Sequence, residues 1–222
     1  MHSTMKYVDI EKIYSILKKE VAHYKVPVVD LIKIQTNDPH KVLIATILSA
    51  RTKDETTVKV CERLFKKVNK AQDLEKLSVD KIEKLIYPVG FYKTKARHLK
   101  ELPRVLKEKF NGIIPQTVEE LIELPGVGRK TANLVVAVGF NKPGMCVDTH
   151  VHKITNRLGY VKTKTPFETE MELRKKLPKQ YWEKINSLLV AYGQNTCRPI
   201  SPWCSRCVIR EYCNQIGVGN HR

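Results

Sequence analysis

The sequence predicts an all-α protein, and three observations support that class. Apolar residues recur every three to four positions along most of the 222 residues, as they do on the buried face of a helix. Helix start patterns accompany them, including two in which a threonine precedes a glutamate by three residues, Thr117-Val118-Glu119-Glu120 and Thr165-Pro166-Phe167-Glu168. No segment shows the convincing alternation of a strand. We therefore expect helices packed on helices.

The N-terminal part of the chain predicts two helices of different character. The first, from Asp9 to Tyr24, carries isoleucine and leucine on one face and lysine on the other. A connecting segment follows from Val26 to Ile34. The second begins at Asp38-Pro39, an N-cap followed by proline at the first helical position. Its residues 42–48 are apolar on nearly all sides, which predicts a helix at the centre of a core.

Three more helices are predicted in the next part of the chain. Asp54 is expected to cap the first of them, and Ser78 is expected to start a short second one. The third is predicted from Thr94 to Phe110, with a kink at Pro103. Asn111-Gly112 ends it, because both residue types tolerate a left-handed backbone.

A helix, a tight glycine turn and a second helix are predicted next. The helix that starts at Thr117 can run only as far as Leu124, because Pro125-Gly126-Val127-Gly128 is a turn. Arg129 opens the second helix, whose apolar residues run from Ala132 to Val138 before a glycine closes it. We call residues 117–139 the hairpin.

The hairpin is a candidate phosphate site. Its turn leaves backbone N–H groups unpaired at the start of the second helix, where the helix dipole adds positive potential. Lys130 lies in the first turn of that helix, and Asp148 follows in the segment Val147-Asp148-Thr149-His150. The alternative is a plain turn with an ordinary surface lysine. The occurrence of Lys130 together with the segment that contains Asp148 argues against this alternative.

The C-terminal part predicts three further helices. One runs through Val151 to Gly159, one starts at Thr165, and the last long one spans about Tyr181 to Gly193. Asp148 is placed to cap the first of these.

Charge narrows the possible partners. Forty lysines and arginines against 23 acidic residues give a net charge of +17, which indicates a polyanionic partner but fits DNA, RNA or lipid alike. No apolar run is long enough to cross a membrane, so no membrane partner is expected. The N-terminus lacks a signal-peptide pattern, so the protein is expected inside the cell.

Four of the six cysteines form a candidate metal site. Cys197, Cys204, Cys207 and Cys213 are separated by six, two and five residues. Four thiolates suit either a tetrahedral zinc ion or an iron–sulfur cube. Zinc ribbons usually present two CxxC pairs, whereas here only Cys204 and Cys207 are so paired. The other two cysteines, Cys61 and Cys146, lie in apolar surroundings and are expected in the core.

Three motifs occur together in this chain: LPGVGRKTA at 124–132, VDTH at 147–150 and the four clustered cysteines. In this combination the sequence resembles endonuclease III, which belongs to the helix-hairpin-helix superfamily of DNA glycosylases. The resemblance covers nearly the whole chain. It implies two helical lobes with a central cleft: residues 32–142 carrying the hairpin, and residues 1–31 and 143–222 carrying the cysteines. It also implies that the cysteines hold a 4Fe-4S cluster, and the protein is expected to act as a monomer.

The resemblance implies a catalytic pair. Asp148 matches the aspartate that stabilises positive charge on the sugar, and Lys130 matches the amine that attacks the sugar and forms an imine. Relatives that only remove a base carry other residues at the position of Lys130. The expected function is therefore that of a bifunctional DNA glycosylase and AP lyase. Its substrates would be oxidised or fragmented pyrimidines and abasic sites in double-stranded DNA.

The same resemblance implies a DNA-binding surface. The backbone of the hairpin would hold phosphate, at Leu124, Gly126, Val127, Gly128 and Arg129. Two loops, residues 49–54 and 90–93, would enter the duplex, and we call them the reading loops. Arg51 stands where glutamine is usual, which puts the preferred opposite base in doubt. Phe91 would be a wedge, or else a core residue. His150 matches a pocket residue, with a structural histidine as the alternative.

Two other functions stay open at this stage. One is a mismatch-directed glycosylase that removes thymine or uracil opposite guanine, and an assay on both substrate classes separates it. The other is a non-catalytic helix-hairpin-helix protein stabilised by zinc. The presence of both Lys130 and Asp148 argues against this second alternative. The colour of the purified protein tests its metal.

Overall fold

The computed structural model describes residues 5–24 and 38–222, and within them helices and turns form the whole structure without a strand. The all-α prediction is confirmed. The helices of these residues are, in order, α1 (Ile10–Glu20), α2 (Pro39–Ser49), α3 (Asp54–Phe65), α4 (Val79–Ile86), α5 (Tyr92–Phe110), α6 (Val118–Leu121), α7 (Arg129–Leu134), α8 (Thr149–Leu158), α9 (Pro166–Lys176) and α10 (Trp182–Asn195). Short 3₁₀ turns lie at Val21–His23, Ala71–Lys76, Lys179–Tyr181, Cys204–Arg206 and Arg210–Tyr212. In this part of the chain no helix has the length and apolar character needed to cross a membrane.

The chain divides into two compact units. One, here the hairpin unit, is Val26–Gly144, and the other, here the cysteine unit, combines Met1–Lys25 with Met145–Arg222. The predicted division of residues 32–142 from 1–31 and 143–222 is kept as a proposal. Its first boundary, and the connecting segment predicted from Val26 to Ile34, lie outside the described residues.

The core of the hairpin unit is built around α2, as its sequence predicts. Asp38 caps the helix by accepting a hydrogen bond from the His40 amide at 2.9 Å, and Pro39 takes the first helical position. Every residue from Val42 to Leu48 is buried, since neighbouring helices cover this helix on most sides. Cys61 of α3 is buried as expected, and burial raises the pKa of its thiol to about 12.

Two predicted helix starts in this unit are wrong by one or two residues. Asp54 is the first residue inside α3 rather than its cap, and Lys53 precedes it without a capping side-chain bond. Helix α5 begins at Tyr92 rather than Thr94, because Phe91 already turns the chain with a left-handed backbone (φ 57°). The prediction that Ser78 starts α4 is confirmed, since its side chain accepts from the Lys81 amide.

The cysteine unit packs α1, α8 and α10 on one apolar core that includes the fully buried ring of Tyr192. Gly159 ends α8 with φ 81°, and Thr165 caps α9 by accepting from the Glu168 amide at 3.2 Å. Helix α10 begins one residue after the predicted Tyr181 and ends two after the predicted Gly193. Cys146 is buried in this unit, as its sequence context predicts.

Candidate active site

The turn of the hairpin needs glycine at one position for reasons internal to the fold. Gly126 has φ 76°, and a Cβ there would lie 2.7 Å from Nδ1 of His98. Leu124 and Val127 on either side are only 2% and 6% exposed, and they fix the turn to the core of the hairpin unit. Their side chains therefore face inward, and any contact they make with DNA must come from their backbone.

Gly128 shows a different pattern. It is exposed, its φ of −89° suits any residue, and no atom lies within 4 Å of where a Cβ would be. Among the described residues, the amides of Gly126 and Gly128 make no backbone hydrogen bond. Neither packing nor conformation requires glycine at position 128, so the missing side chain leaves the backbone open to close approach by a ligand at the start of α7.

Lys130 lies in the first turn of α7, with an exposed side chain. Its neighbour Arg129 is partly buried, and its guanidinium approaches Oε1 of Glu119 at 3.6 Å. The carbonyl of Arg129 accepts a hydrogen bond from the Asn133 side-chain amide at 3.1 Å. The helix then continues as a π turn over Val135–Gly139, and π turns inside helices are frequent at functional sites.

Asp148 caps α8 in the cysteine unit, as predicted. Its Oδ1 accepts hydrogen bonds from the amides of His150 at 2.8 Å and Val151 at 2.9 Å. The carboxylate thus stands at the positive end of a helix of ten residues, which favours its charge. These two backbone amides help to fix its orientation.

His150 packs into the cysteine unit beside α10. A Cβ on Gly193 would lie 2.3 Å from Nδ1 of His150, so the ring rests directly on that glycine. Nδ1 is buried and has no hydrogen-bond partner among the described residues. Packing therefore accounts for the position of this ring, while its role in a substrate pocket stays a prediction.

Arg51 and Phe91 of the reading loops lie next to each other. Both have left-handed backbones, with φ of 54° and 57°, a conformation that costs non-glycine residues about 1–2 kcal/mol. The guanidinium carbon of Arg51 lies 5.4 Å from the ring centroid of Phe91. Phe91 is 62% exposed, so the alternative of a core phenylalanine is wrong. Its role as a wedge stays a prediction.

One open pocket of the hairpin unit joins the reading loops to the hairpin. Its lining residues are Ile47, Ala50, Arg51, Phe91, Thr94, Lys95, His98 and Gly126. Lys95, which was not among the predicted site residues, is only 7% exposed. A pattern that indicates its burial is present in the sequence, because Lys95 precedes the buried Leu99 by four and Leu102 by seven residues, on the inner face of α5.

The four clustered cysteines line one small pocket in the cysteine unit. Three of their sulfurs engage in hydrogen bonds, from Tyr192 Oη to Cys207 at 3.1 Å, from Arg157 Nη1 to Cys197 at 3.3 Å and from the Gln215 amide to Cys213 at 3.3 Å. Donors aimed at sulfur stabilise thiolate ligands and orient them. Arg157 is 8% exposed and also donates to three backbone carbonyls of the loop, those of Cys197, Arg198 and Pro199.

The four thiols of this pocket suit a bound metal centre. Burial raises the pKa of Cys197, Cys204 and Cys213, the last to about 11, so the thiolate form calls for a bound cation. Within residues 5–24 and 38–222, no three His, Cys, Asp or Glu side chains converge on a single-ion site. Four thiols that line one pocket can supply the ligands of a zinc ion or of an iron–sulfur cluster.

Comparison with known proteins identifies the family. Residues 44–179 match the model of the HhH-GPD superfamily base excision DNA repair proteins. An endonuclease III from Thermotoga maritima is 48% identical, over 79% of this chain and 83% of its own. The chain belongs to the endonuclease III family. It spans about half (47%) of a chloroplastic endonuclease III homologue from Arabidopsis thaliana, which is 45% identical over 78% of this chain.

Solved structures share this fold over nearly the whole chain. A trapped covalent intermediate of endonuclease III with DNA has a TM-score of 0.79 at 33% identity, with 94% of this chain and 97% of that chain covered. A thermostable thymine-DNA glycosylase has a TM-score of 0.78 at 25% identity, with coverages of 93% and 95%. Because the two scores are nearly equal, the fold of this endonuclease III family member does not separate the two substrate classes.

Proposed function

We propose that this protein is a bifunctional DNA glycosylase and AP lyase of base excision repair. Its substrates are oxidised pyrimidines and abasic sites in double-stranded DNA, and it acts as a monomer inside the cell, in the cytoplasm or nucleoid if its source is prokaryotic. The observation that carries the proposal is Lys130, exposed in the first turn of α7 two residues after the open backbone of Gly128. The net charge of +17 supports a polyanionic substrate.

The hairpin holds the DNA backbone near the damaged nucleotide. Phosphate oxygens accept hydrogen bonds from the open amides at Gly126 and Gly128, and the dipole of the following helix favours their negative charge. Arg129 adds positive charge beside them. Because these contacts use backbone, they fix the register of the protein on DNA without reading its sequence.

Lys130 is the nucleophile of this proposal. Its Nζ forms a bond to the anomeric carbon of the sugar as the bond from that carbon to the base breaks. Loss of the amine proton and opening of the sugar ring give an imine. Removal of a proton from the carbon next to the imine then expels the 3′ phosphate, which cuts the strand by β-elimination.

Asp148 stabilises the positive charge that develops on the sugar while the base departs. The two amides that hold Oδ1 keep the carboxylate in place, so little reorganisation is needed as the charge forms. The carboxylate therefore serves two purposes, as the cap of α8 and as the electrostatic partner of the sugar.

Cys197, Cys204, Cys207 and Cys213 are the proposed ligands of a 4Fe-4S cluster. The pocket that they line and the donors aimed at three of their sulfurs support a metal centre held by thiolates, and the cysteine spacing, which has only one CxxC pair, favours the cluster over zinc. When bound, the cluster supplies iron–thiolate bonds that crosslink the loop. The exposed arginines of this loop then form a basic surface for phosphate. One of them is Arg206, whose guanidinium carbon lies 4.5 Å from the ring centroid of Trp203.

A mismatch-directed thymine or uracil glycosylase is the second candidate, because the thymine-DNA glycosylase structure matches the fold almost equally well. The test is a single-turnover assay on duplexes that carry an oxidised pyrimidine, a thymine or uracil opposite guanine, or an abasic site. We expect base removal with strand cleavage on the oxidised pyrimidine and cleavage of the abasic site. Removal of mismatched thymine without any strand cleavage would contradict the proposal.

A further inference from the structure

Lys95 is a charged residue in the interior of the hairpin unit. It lies in the first turn of α5 and is 7% exposed. Its ammonium donates hydrogen bonds to the carbonyls of Leu48 at 2.8 Å and Ala50 at 2.6 Å, and to Oγ1 of Thr52 at 3.2 Å. These bonds use all three of its N–H groups. Among the described residues, no carboxylate pairs with it.

The need to fill space does not explain a lysine at this place. Burial lowers the pKa of Lys95 to about 8, because a cation without a counter-ion is unfavourable in the interior. A methionine of similar length would fill the same volume without a buried charge. The ammonium is therefore explained by its acceptors, and the carbonyls of Leu48 and Ala50 are two that the C-terminal end of α2 leaves without helical partners.

The third acceptor connects the two reading loops. The Thr52 hydroxyl oxygen, which accepts from Lys95, also accepts from the amide of Gly90 at 3.1 Å. A Cβ on Gly90 would lie only 2.4 Å from the carbonyl oxygen of Arg51, so the loops touch backbone to backbone. Lys95 and Thr52 thus form one junction beneath both loops.

The residues that the junction supports are the two proposed to enter the DNA. Arg51 is flanked by the lysine's acceptors Ala50 and Thr52, and Phe91 directly follows Gly90. Both have left-handed backbones, which persist in non-glycine residues only where surrounding contacts fix them. Their side chains are exposed and adjacent, with no cover from the core that would hold them.

We propose that Lys95 is the positioning residue that fixes Arg51 and Phe91 in their paired, DNA-facing arrangement. The proposal rests on the proposed function, in which these two side chains enter the duplex at the lesion. Lys95 touches no reacting atom in this scheme. It matters when a base must be taken out of the stack and its partner recognised, and much less when an abasic site, which holds no base to extrude, is cut by Lys130.

The test compares Lys95→Met with Lys107→Met, a matched control that removes an exposed lysine from the same helix. Each variant is assayed in single turnover on two kinds of duplex. One is a set of four in which an oxidised pyrimidine lies opposite each of the four bases, and the other carries a pre-made abasic site. We expect Lys95→Met to slow base removal at least about tenfold more than abasic-site cleavage, and to narrow the spread among opposite bases. Lys107→Met should change both activities equally.

A second variant keeps the test decisive if thermal melting shows that Lys95→Met is unfolded. Thr52→Val removes the shared hydroxyl without burying or removing a charge and should give the same substrate-selective loss, while Thr52→Ser, which keeps the hydroxyl, should restore base removal. Equal losses on the lesion and abasic-site duplexes, or unchanged base removal in a folded Lys95→Met or Thr52→Val variant, would overturn the positioning role. If the wild-type protein processes neither duplex, the proposed function itself fails.

Discussion

Replacement of Asp148 by asparagine and by alanine separates its structural role from its proposed chemical one. In the structure its Oδ1 accepts from two backbone amides, at 2.8 and 2.9 Å. Asparagine offers a carbonyl oxygen at the same place and is as good an N-cap as aspartate, whereas alanine offers none. Both substitutions remove the negative charge. Stability should therefore distinguish the variants, and base removal should not.

The magnitudes follow from the two interactions. Loss of an N-cap costs about 0.5–2 kcal/mol, and loss of a charge at a helix N-terminus costs about 0.3–1 kcal/mol. In a chain of this size about 1 kcal/mol lowers Tm by roughly 2–4 °C. We expect Asp148→Asn to lose only the charge contribution and Asp148→Ala to lose both. Base removal should fall by about 10²–10³-fold in each, as when a preorganised electrostatic partner of a transition state is removed.

The assay pairs thermal unfolding with single-turnover base removal on a duplex that carries an oxidised pyrimidine. Thr165→Ala is the matched control, because Thr165 caps α9 through one amide at 3.2 Å and has no part in the proposed chemistry. It should lower Tm as a lost cap does and leave base removal unchanged. Wild-type base removal by a folded Asp148→Asn variant would refute the electrostatic role, and equal destabilisation by asparagine and alanine would refute the account of the cap.

Three further predictions concern the DNA contacts and the cysteines. Arg51→Gln should shrink a preference for lesions opposite guanine, worth about 1–3 kcal/mol at most, and leave cleavage of abasic sites intact; an equal loss over all four opposite bases in the single-turnover assay would instead indicate a phosphate contact. Gly128→Ala should weaken DNA binding in a salt titration but leave Tm unchanged, because a Cβ at this position has room in the free protein. Gly126→Ala should lower Tm, because its backbone is left-handed and a Cβ there would clash with His98. Cys204→Ser should bleach the yellow-brown absorbance expected of an iron–sulfur protein and destabilise the cysteine unit; a colourless wild-type protein with one zinc and no iron by metal analysis would contradict the ligand assignment.

Sequence patterns predicted the features of this fold that depend on neighbouring residues. The caps at Asp38, Ser78 and Asp148 and the buried run of α2 are local in origin, since each rests on a side chain and amides a few positions away. The start of α5 at Tyr92 was predicted wrongly because the left-handed Phe91 is held through Gly90, whose amide bonds to Thr52 from 38 residues away. No local pattern contains that bond.

The candidate site shows the same distinction. The hairpin, the catalytic candidates and the cysteine spacing could be located because their residues are close in the chain. The roles of the buried cations could not be predicted, because the acceptors that surround Lys95 and Arg157 lie far from them in the chain. Arg157 meets the cysteine loop 40 to 42 residues later, and Lys95 meets the loop that ends α2 43 to 47 residues earlier. Such contacts follow from tertiary packing.

The most direct test of the account is borohydride trapping of the protein on a duplex that contains an abasic site. Wild type and Lys142→Ala, which removes an exposed lysine from the same unit, should both form a covalent protein–DNA adduct. Lys130→Ala should bind the duplex nearly as well, because the backbone of the hairpin is unchanged, yet give no adduct and no strand cleavage. Adduct formation by Lys130→Ala at the wild-type rate would show that another amine is the nucleophile and would contradict the proposed site.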